Sequence, residues 1–470
     1  MALTDVKQSR QATAFSFVER LRTAVADMLS GEHGRTQRLA GAAFAIRIAS
    51  AGIVFASQAL LARWIGSYQF GSYVYVWTWL LLVGDLVHLG LPLTAQRFVP
   101  EYTQAHSTAL LRGYLSGSRW LAFAAGTAVA LIAALVIYGL GDALDGQLVV
   151  PLYFACAALP VYGLTFMSDG LARSYNWINL ALLPAYVIRP LIFIAAIAGL
   201  RAAGVAFDAA KVMGVLVVAS WLAALLQMLQ LNRKLKTVVT AGPKSYETGR
   251  WLATALPIVF VWGLYTLLTS TDVLVLKQFR SAEEVAHYYA AAKTLALVSI
   301  VYFAVAATTA HRFTIYHVAG DRGGLEAFAA ATVRWVFWLS LAFSLFIVAV
   351  GRPLLMLFGD EFVAAYPVMV ILAVGQLARA SVGPAERVLN VLGQQRSCAF
   401  AYAAAFTVNI GACLVLAPAY GAVGAAIATA AAFVVESASL FVIAKRSLGL
   451  HMFVWDPWKG ARARTATDAC

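Results

Sequence analysis

Runs of about 20 apolar residues recur along this chain from residue 42 to residue 443, each long enough to cross a hydrocarbon core of about 30 Å. Backbone polar groups in lipid find partners only within the protein, so segments of this kind fold as helices. Bounded by charge, Gly or Pro, the runs fall near 42–63, 72–92, 119–140, 148–168, 180–200 and 211–231, then near 252–276, 287–310, 332–350, 364–383, 398–417 and 421–443. The composition agrees: 61% of the 470 residues are hydrophobic and 12% charged, against roughly 25% charged in soluble domains. The expectation is an all-α polytopic membrane protein with about 12 transmembrane helices.

Basic residues orient it. With both termini inside, the cytoplasmic segments hold 23 of the 35 Lys and Arg residues and the outer loops six, the remaining six lying in or at the edges of spans. The positive-inside rule thus accounts for most of the net charge of +13 without nucleic acid. The expected organisation is a cytoplasmic tail at 1–38, a first bundle at 39–232, a basic cytoplasmic linker at 233–250, a second bundle at 251–444 and a cytoplasmic tail at 445–470.

The first tail has no continuous apolar core, so no cleavable signal peptide is expected. In it Phe15, Val18, Val25 and Met28 recur at helical spacing beside Arg10, Arg20 and Arg22, the pattern of a basic amphipathic helix lying on the membrane, although a disordered tail fits as well. Cys156, Cys398, Cys413 and Cys470 form no C-x-x-C pair, and no redox or metal role is assigned to them.

The two halves repeat. Arg63 precedes "RFVPEY" (97–102) by 34 residues and Lys277 precedes "RFTIYH" (312–317) by 35, an offset of about 214; "GVAF" (204–207) and "GAVG" (421–424) open the last span of each half at nearly the same offset. Two six-helix bundles in the same orientation follow.

The stretches "GSYVYVWTWLLLVGDLVHLGLPLTAQRFVPEY" (71–102), "TSTDVLVLKQFRSAEEVAHYYAAAKTL" (269–295), "LFGDEFVAAYPVMVILAVGQLARASVGPAERVLNVLGQQ" (357–395) and "VNIGACLVLAPAYGAVGAAIAT" (408–429) resemble polysaccharide transporters of the Wzx type. These belong to a superfamily with multidrug and toxin extrusion (MATE) exporters and lipid II flippases. The resemblance covers about residues 40–440. It implies two lobes around a central cavity opening to one side of the membrane at a time, a polyprenyl-diphosphate-linked oligosaccharide as substrate, a place in the bacterial inner membrane, and polysaccharide polymerase and other assembly proteins as partners. Twelve spans favour the Wzx branch, since lipid II flippases usually carry two more.

A diphosphate moving through a cavity calls for cations, and guanidinium groups bind phosphate oxygens in pairs. Arg47 and Arg379 lie toward the cytoplasmic side, Arg189 near the midplane and Lys293 toward the outside, which makes these four the candidate substrate-binding residues. Arg47 and Arg379 equally suit snorkelling to the interface. Arg189, inside "AYVIRPLIFIAAIAGL" (185–200), costs roughly 2.5–3.5 kcal/mol in lipid on insertion scales and therefore faces a cavity or an ion-pair partner. Asp85 and His88, at i and i+3 in the second span, and Asp272 in "TSTD" are candidate coupling or charge-balancing groups, with a buried structural pair as the alternative for the first two. Glu436, in a peripheral span by the family's layout, is the weakest of the acids. The loops 168–176 and 383–395 match in the repeat and carry Asp169 and Arg173, and Glu386 and Arg387, as a candidate cytoplasmic gate or simply as solvated charges.

No G-x-x-x-x-G-K-[ST], H-E-x-x-H or G-x-S-x-G sequence is present and no Cys/His cluster, so no cofactor, metal or enzymatic chemistry is expected. Two rival readings are a MATE-like exporter of cationic drugs, which needs a cavity of net negative charge, and a membrane glycan ligase or polymerase, which needs a large outer loop. The longest loop, about 25 residues around 93–118, is too short for a catalytic domain.

Overall fold

The computed structural model describes residues 31–299 and 318–455 together with Val305, Thr309, Arg312, Phe313, Ile315 and Tyr316. The amphipathic segment expected around residues 15–28 and the end of the second tail lie outside these. The regular structure of the described residues is all helix, with no strand. Ten helical stretches are long and apolar enough to cross a membrane, from Phe44–Ile65 to Gln395–Leu448.

The first half is built from α1 (Gly31–Ile65), α2 (Ser67–Val87), α3 (Leu91–Gln104), α4 (Thr108–Leu140), α5 (Gly146–Ser174), α6 (Ile178–Leu183), α7 (Arg189–Ala202) and α8 (Ala209–Val238). The second comprises α9 (Thr248–Leu268), α10 (Thr271–Phe279), α11 (Ala282–Ala296), α12 (Arg322–Ala349), α13 (Gly351–Met356), α14 (Tyr366–Ala380), α15 (Ala385–Val391) and α16 (Gln395–Ile443). The repeat is visible in the helix ends: α1 stops at Ile65 and α10 at Phe279, and the next helices start at Ser67 and Ala282, again an offset of about 214.

At about 1.5 Å per residue, the 54-residue stretch containing α16 is far too long for one crossing. It folds back at Gly421, whose φ of 59° and ψ of −136° are open to glycine and costly for other residues. Beyond the turn Gly424 lies against the Leu416 carbonyl and Asn409 Nδ2 donates to Thr429 Oγ1 at 3.4 Å, so the stretch is an antiparallel pair and matches the expected spans 398–417 and 421–443. Ala401, Ala405, Ala425, Ala426, Ala428 and Ala432 are buried along it. Small side chains of this kind let helices approach closely where lipid removes the hydrophobic drive between them. The expected eighth span, 287–310, is described continuously only to residue 299.

Three hydrophobic clusters organise the molecule. One joins both halves, running from Phe70, Tyr73 and Tyr162 to Tyr288, Tyr289, Phe358 and Phe362. The second lies in the first half around Phe98, Tyr114 and Leu171, and the third in the second half around Val333, Tyr402 and Leu440. At one end the lobes therefore share a core, and at the other each keeps its own. The shared end carries residues 64–67, 277–281 and 357–365, which the charge asymmetry places outside. There Ser67 N–H donates to Glu361 Oε1 at 3.2 Å, Lys277 Nζ lies 3.9 Å from Asp145 Oδ2, and the Phe70 ring meets those of Tyr289, Phe358 and Phe362 at 6.0–6.3 Å. Gly71 abuts the Ala282 carbonyl so closely that any Cβ would overlap it.

The linker is fastened to the first lobe at the opposite end. Arg112 Nε donates to the Thr240 carbonyl at 2.6 Å and Ser245 N–H to the Ala109 carbonyl at 3.0 Å. Tyr102 Oη donates to Glu247 Oε2 at 2.8 Å while accepting from Trp251 Nε1 at 2.9 Å, and Arg250 pairs with both Glu101 and Glu247. The hydrogen bonds from Tyr102 and Arg250 hold the Glu247 carboxyl below the usual range. Trp251 and Ala255, the first residues of the expected second bundle, thus pack wholly into the first lobe's cluster. Past α16, Leu450, Met452 and Val454 insert into the second lobe's cluster, and Val454 N–H donates to the Ser381 carbonyl at 2.9 Å. The start of the expected second tail is therefore a strap across that lobe.

Candidate functional site

Local structure places Arg189. Between α6 and α7 the chain takes a π turn at Pro184–Ile188, in which the Arg189 N–H reaches back five residues to the Pro184 carbonyl. Such bulges re-aim side chains within a helix, and Pro190 follows at once with no N–H to contribute. The guanidinium turns onto aromatic faces: Arg189 Nη1 donates to Tyr162 Oη at 2.9 Å, and Cζ lies 5.3 Å from the Tyr162 ring and 5.6 Å from that of Trp77. Cation–π contacts of this type stabilise a desolvated guanidinium without neutralising it. Among the described residues no carboxylate comes within ion-pair distance of Arg189.

Lys293 answers from the second lobe. Its Nζ sits 4.8 Å above the Tyr289 ring, which meets the Phe70 ring edge-on with centroids 6.0 Å apart. One aromatic run, Tyr162, Trp77, Tyr73, Phe70 and Tyr289, with neighbouring centroids 6.0–6.4 Å apart, thereby crosses the lobe boundary with a cation at either end.

The other candidates are engaged elsewhere. Arg47 Cζ stacks 5.2 Å from the Tyr186 ring and bears on Asp169, which Arg173 grips through Nε at 2.8 Å and Nη2 at 3.1 Å. Arg379 Nε lies 3.1 Å from Glu436 Oε1, with Cζ over the rings of Tyr265 and Phe433 at 5.5 and 5.1 Å. Asp85 and His88 are not brought together: Asp85 Oδ2 accepts from Thr266 Oγ1 at 2.9 Å across the lobe boundary, whereas His88 Nδ1 accepts its own neighbour's Gly90 N–H at 3.1 Å. Glu386 is turned toward Tyr402 and Glu436, and neither it nor Arg387 forms an ion pair among the described residues. No hydrogen bond, ion pair or ring contact among the described residues joins 168–176 to 383–395 in this state.

Asp272 opens the first turn of α10, directly after the break at Thr269–Ser270 that divides the seventh span, where the helix dipole favours a negative charge. Oδ1 accepts from Val273 N–H at 2.8 Å, and Oδ2 accepts from the Tyr288 hydroxyl and from Thr429 Oγ1. Three elements converge on one buried carboxylate.

Sequence reading missed the aromatic contributors Trp77, Tyr162 and Tyr289, since isolated aromatics are commonplace in spans. A signal was present for one of them: Tyr289 and Lys293 stand at i and i+4 in "YYAAAK", the spacing that stacks a cation on a ring along one helix face.

No protein-family profile and no curated protein sequence matches the chain. Solved structures do. An inward-facing multidrug resistance transporter of the MATE family, in the MOP superfamily, superposes with a TM-score of 0.72 at 13% identity over 85% of this chain and 94% of that one. The lipid II flippase MurJ in an inward closed conformation gives 0.65 at 14% identity over 86% and 87%, and an outward-facing MATE transporter 0.66 at 13% over 90% and 97%. The chain has the MATE- and MurJ-like fold. It is a multi-pass, all-helical membrane protein of two lobes.

Proposed function

We propose that this protein is a flippase of the Wzx type, carrying a polyprenyl-diphosphate-linked oligosaccharide from the cytoplasmic to the outer leaflet of the bacterial inner membrane by alternating access. The observation that carries the reading is Arg189: a cation deep in a span, cushioned by rings and, among the described residues, left without a carboxylate. With Lys293 across the boundary it offers two positive groups to an anion lying between the lobes. The fold supports alternating access, and a MurJ-like architecture is compatible with a lipid-linked cargo. Nothing in the chain suggests an enzyme, and consumption of the flipped product by a polymerase is sufficient to drive net export.

A second reading rests on Asp85. Among the described residues this carboxylate meets only a hydroxyl, Thr266, at the lobe boundary, and an exporter of organic cations needs such a group. Reconstitution separates the two. In liposomes containing a fluorescent undecaprenyl-diphosphate oligosaccharide, the protein should speed access of an external quencher to the label; efflux of ethidium with no effect on the labelled lipid would establish the exporter instead.

Orientation is tested separately. In a background lacking Cys156, Cys398, Cys413 and Cys470, single cysteines in 232–250 are expected to react with an impermeant maleimide only from the cytoplasm, and those in 141–147 only from outside. The opposite pattern would invert the topology and the direction of transport with it.

A further inference from the structure

Glu436 was the acid with least claim to a role, yet its surroundings are unusual. The residue is 1% exposed, with Oε1 engaged by Arg379 and Oε2 enclosed without any hydrogen-bond partner among the described residues. The Tyr402 hydroxyl, on a residue 2% exposed, is likewise enclosed and unpartnered. The groups that face Glu436 come from every element around it: Arg379 of α14, Tyr265 of α9 beneath that guanidinium, Tyr402 in the first arm of α16 and Glu386 of α15. The pair is asymmetric. The Arg379 side chain retains 25% exposure and that of Glu436 only 2%, so an anion arriving from outside the lobe meets the arginine before the carboxylate.

We infer that Glu436 is a built-in stand-in for the substrate phosphate, and that loading of the phosphate onto Arg379 transfers one proton to Glu436. The step balances simply. The phosphate oxygens take the guanidinium's N–H donors, the Arg379 to Glu436 contact opens, and the carboxylate, now buried with no cation, binds one proton from water on its free oxygen. An isolated ionised carboxylate in an apolar interior is too costly to persist and neutralises instead. On release the proton leaves and the ion pair reforms, so Arg379 is not left unpaired in the empty carrier. Substrate and proton then share one site and one direction, so the proton gradient does not draw the substrate outward.

The inference rests on the flippase reading, and the experiment keeps the two apart. The full-length protein in nanodiscs is titrated with undecaprenyl diphosphate at several pH values, and proton uptake is counted by calorimetry in two buffers of different ionisation enthalpy. The wild type should bind more tightly as pH falls, by up to about tenfold per pH unit for one linked proton, beyond any titration of the diphosphate itself. Glu436→Gln should bind tightly at alkaline pH and lose this additional dependence, keeping only that of the ligand. If Glu436→Gln shows the same pH dependence as the wild type, the inference is wrong and the flippase reading stands. Should the variant not fold, the wild type alone decides: at alkaline pH, where the diphosphate is fully ionised, proton uptake on binding is expected, and none overturns the idea. Failure of the wild type to bind undecaprenyl diphosphate at any pH removes both readings together.

Discussion

Arg189→Ala is expected to weaken binding of a diphosphate-linked lipid roughly 10- to 150-fold, the equivalent of about 1.5–3 kcal/mol for a charged hydrogen-bond partner. The geometry supports a loss of function more than a loss of fold. Arg189 donates to a neutral hydroxyl, Tyr162 Oη, and rests on rings; its removal leaves no carboxylate stranded. An arginine held by an ion pair behaves otherwise, because deleting one partner of a buried pair costs about 3–5 kcal/mol. Yield and lipid flipping should therefore separate, with Arg189→Ala well expressed and inactive. Arg189→Lys should restore only part of the activity: an ammonium still stacks on Trp77 and Tyr162 but cannot grip two phosphate oxygens at once. The decisive comparison is the Asp85→Asn double variant. If Arg189→Ala folds poorly and the double variant recovers both yield and transport, Arg189 is a structural counter-charge to Asp85 despite their separate partners, and its place in the substrate path is lost.

Trp251→Ala should be the most destabilising substitution in the linker region, by about 3–5 kcal/mol for a fully buried aromatic. Trp251 is 0% exposed, donates to Tyr102 Oη and meets the Tyr114 ring edge-on with centroids 5.0 Å apart. Truncation opens a cavity in the first lobe's core and leaves Tyr102 without a donor, although it still donates to Glu247. The effect belongs in thermal unfolding of the detergent-solubilised protein. Trp251→Phe should recover most of the packing but not the hydrogen bond, so its loss should be smaller. Because Trp251 is also the entry to the seventh span, transport by the surviving folded fraction should fall as well; a variant that unfolds early yet flips lipid at the wild-type rate per folded molecule would show that the start of α9 need not move with the first lobe. Equal stability of the wild type and Trp251→Ala would refute the anchor altogether.

The class of fold was legible in the sequence because each piece of evidence for it is local. An apolar run of about 20 residues has to be a helix in lipid whatever its neighbours do. The shared offset between Arg63 and Lys277, and between Arg97 and Arg312, reflects two similar halves, and the helix ends at Ile65 and Phe279 keep it. The division between 398–417 and 421–443 was legible too, and Gly421, which opens the later run, proves to be the residue at which the chain folds back. The depth of Arg189, Lys293 and Arg379 along their spans also follows from counting residues.

What those charges touch does not. Rotation about a helix axis and the choice of neighbour depend on packing between segments far apart in the chain, and no periodicity in a uniformly apolar span reports it. So the sequence set Arg189 and Arg379 at different depths but left open what either one touches. Tertiary structure divided them, setting one on Trp77 and Tyr162 and closing the other onto Glu436 from 57 residues away. It likewise parted Asp85 from His88, neighbours on paper, because a break in the second span turns His88 back onto Gly90 while Asp85 meets Thr266 of the other lobe. Finally, one core shared by both lobes at the end carrying Ser67 and Glu361, and separate cores at the other, is a choice among conformations of one chain. Composition, charge and repeat are identical in every such state, so only the packed structure could say which end is closed.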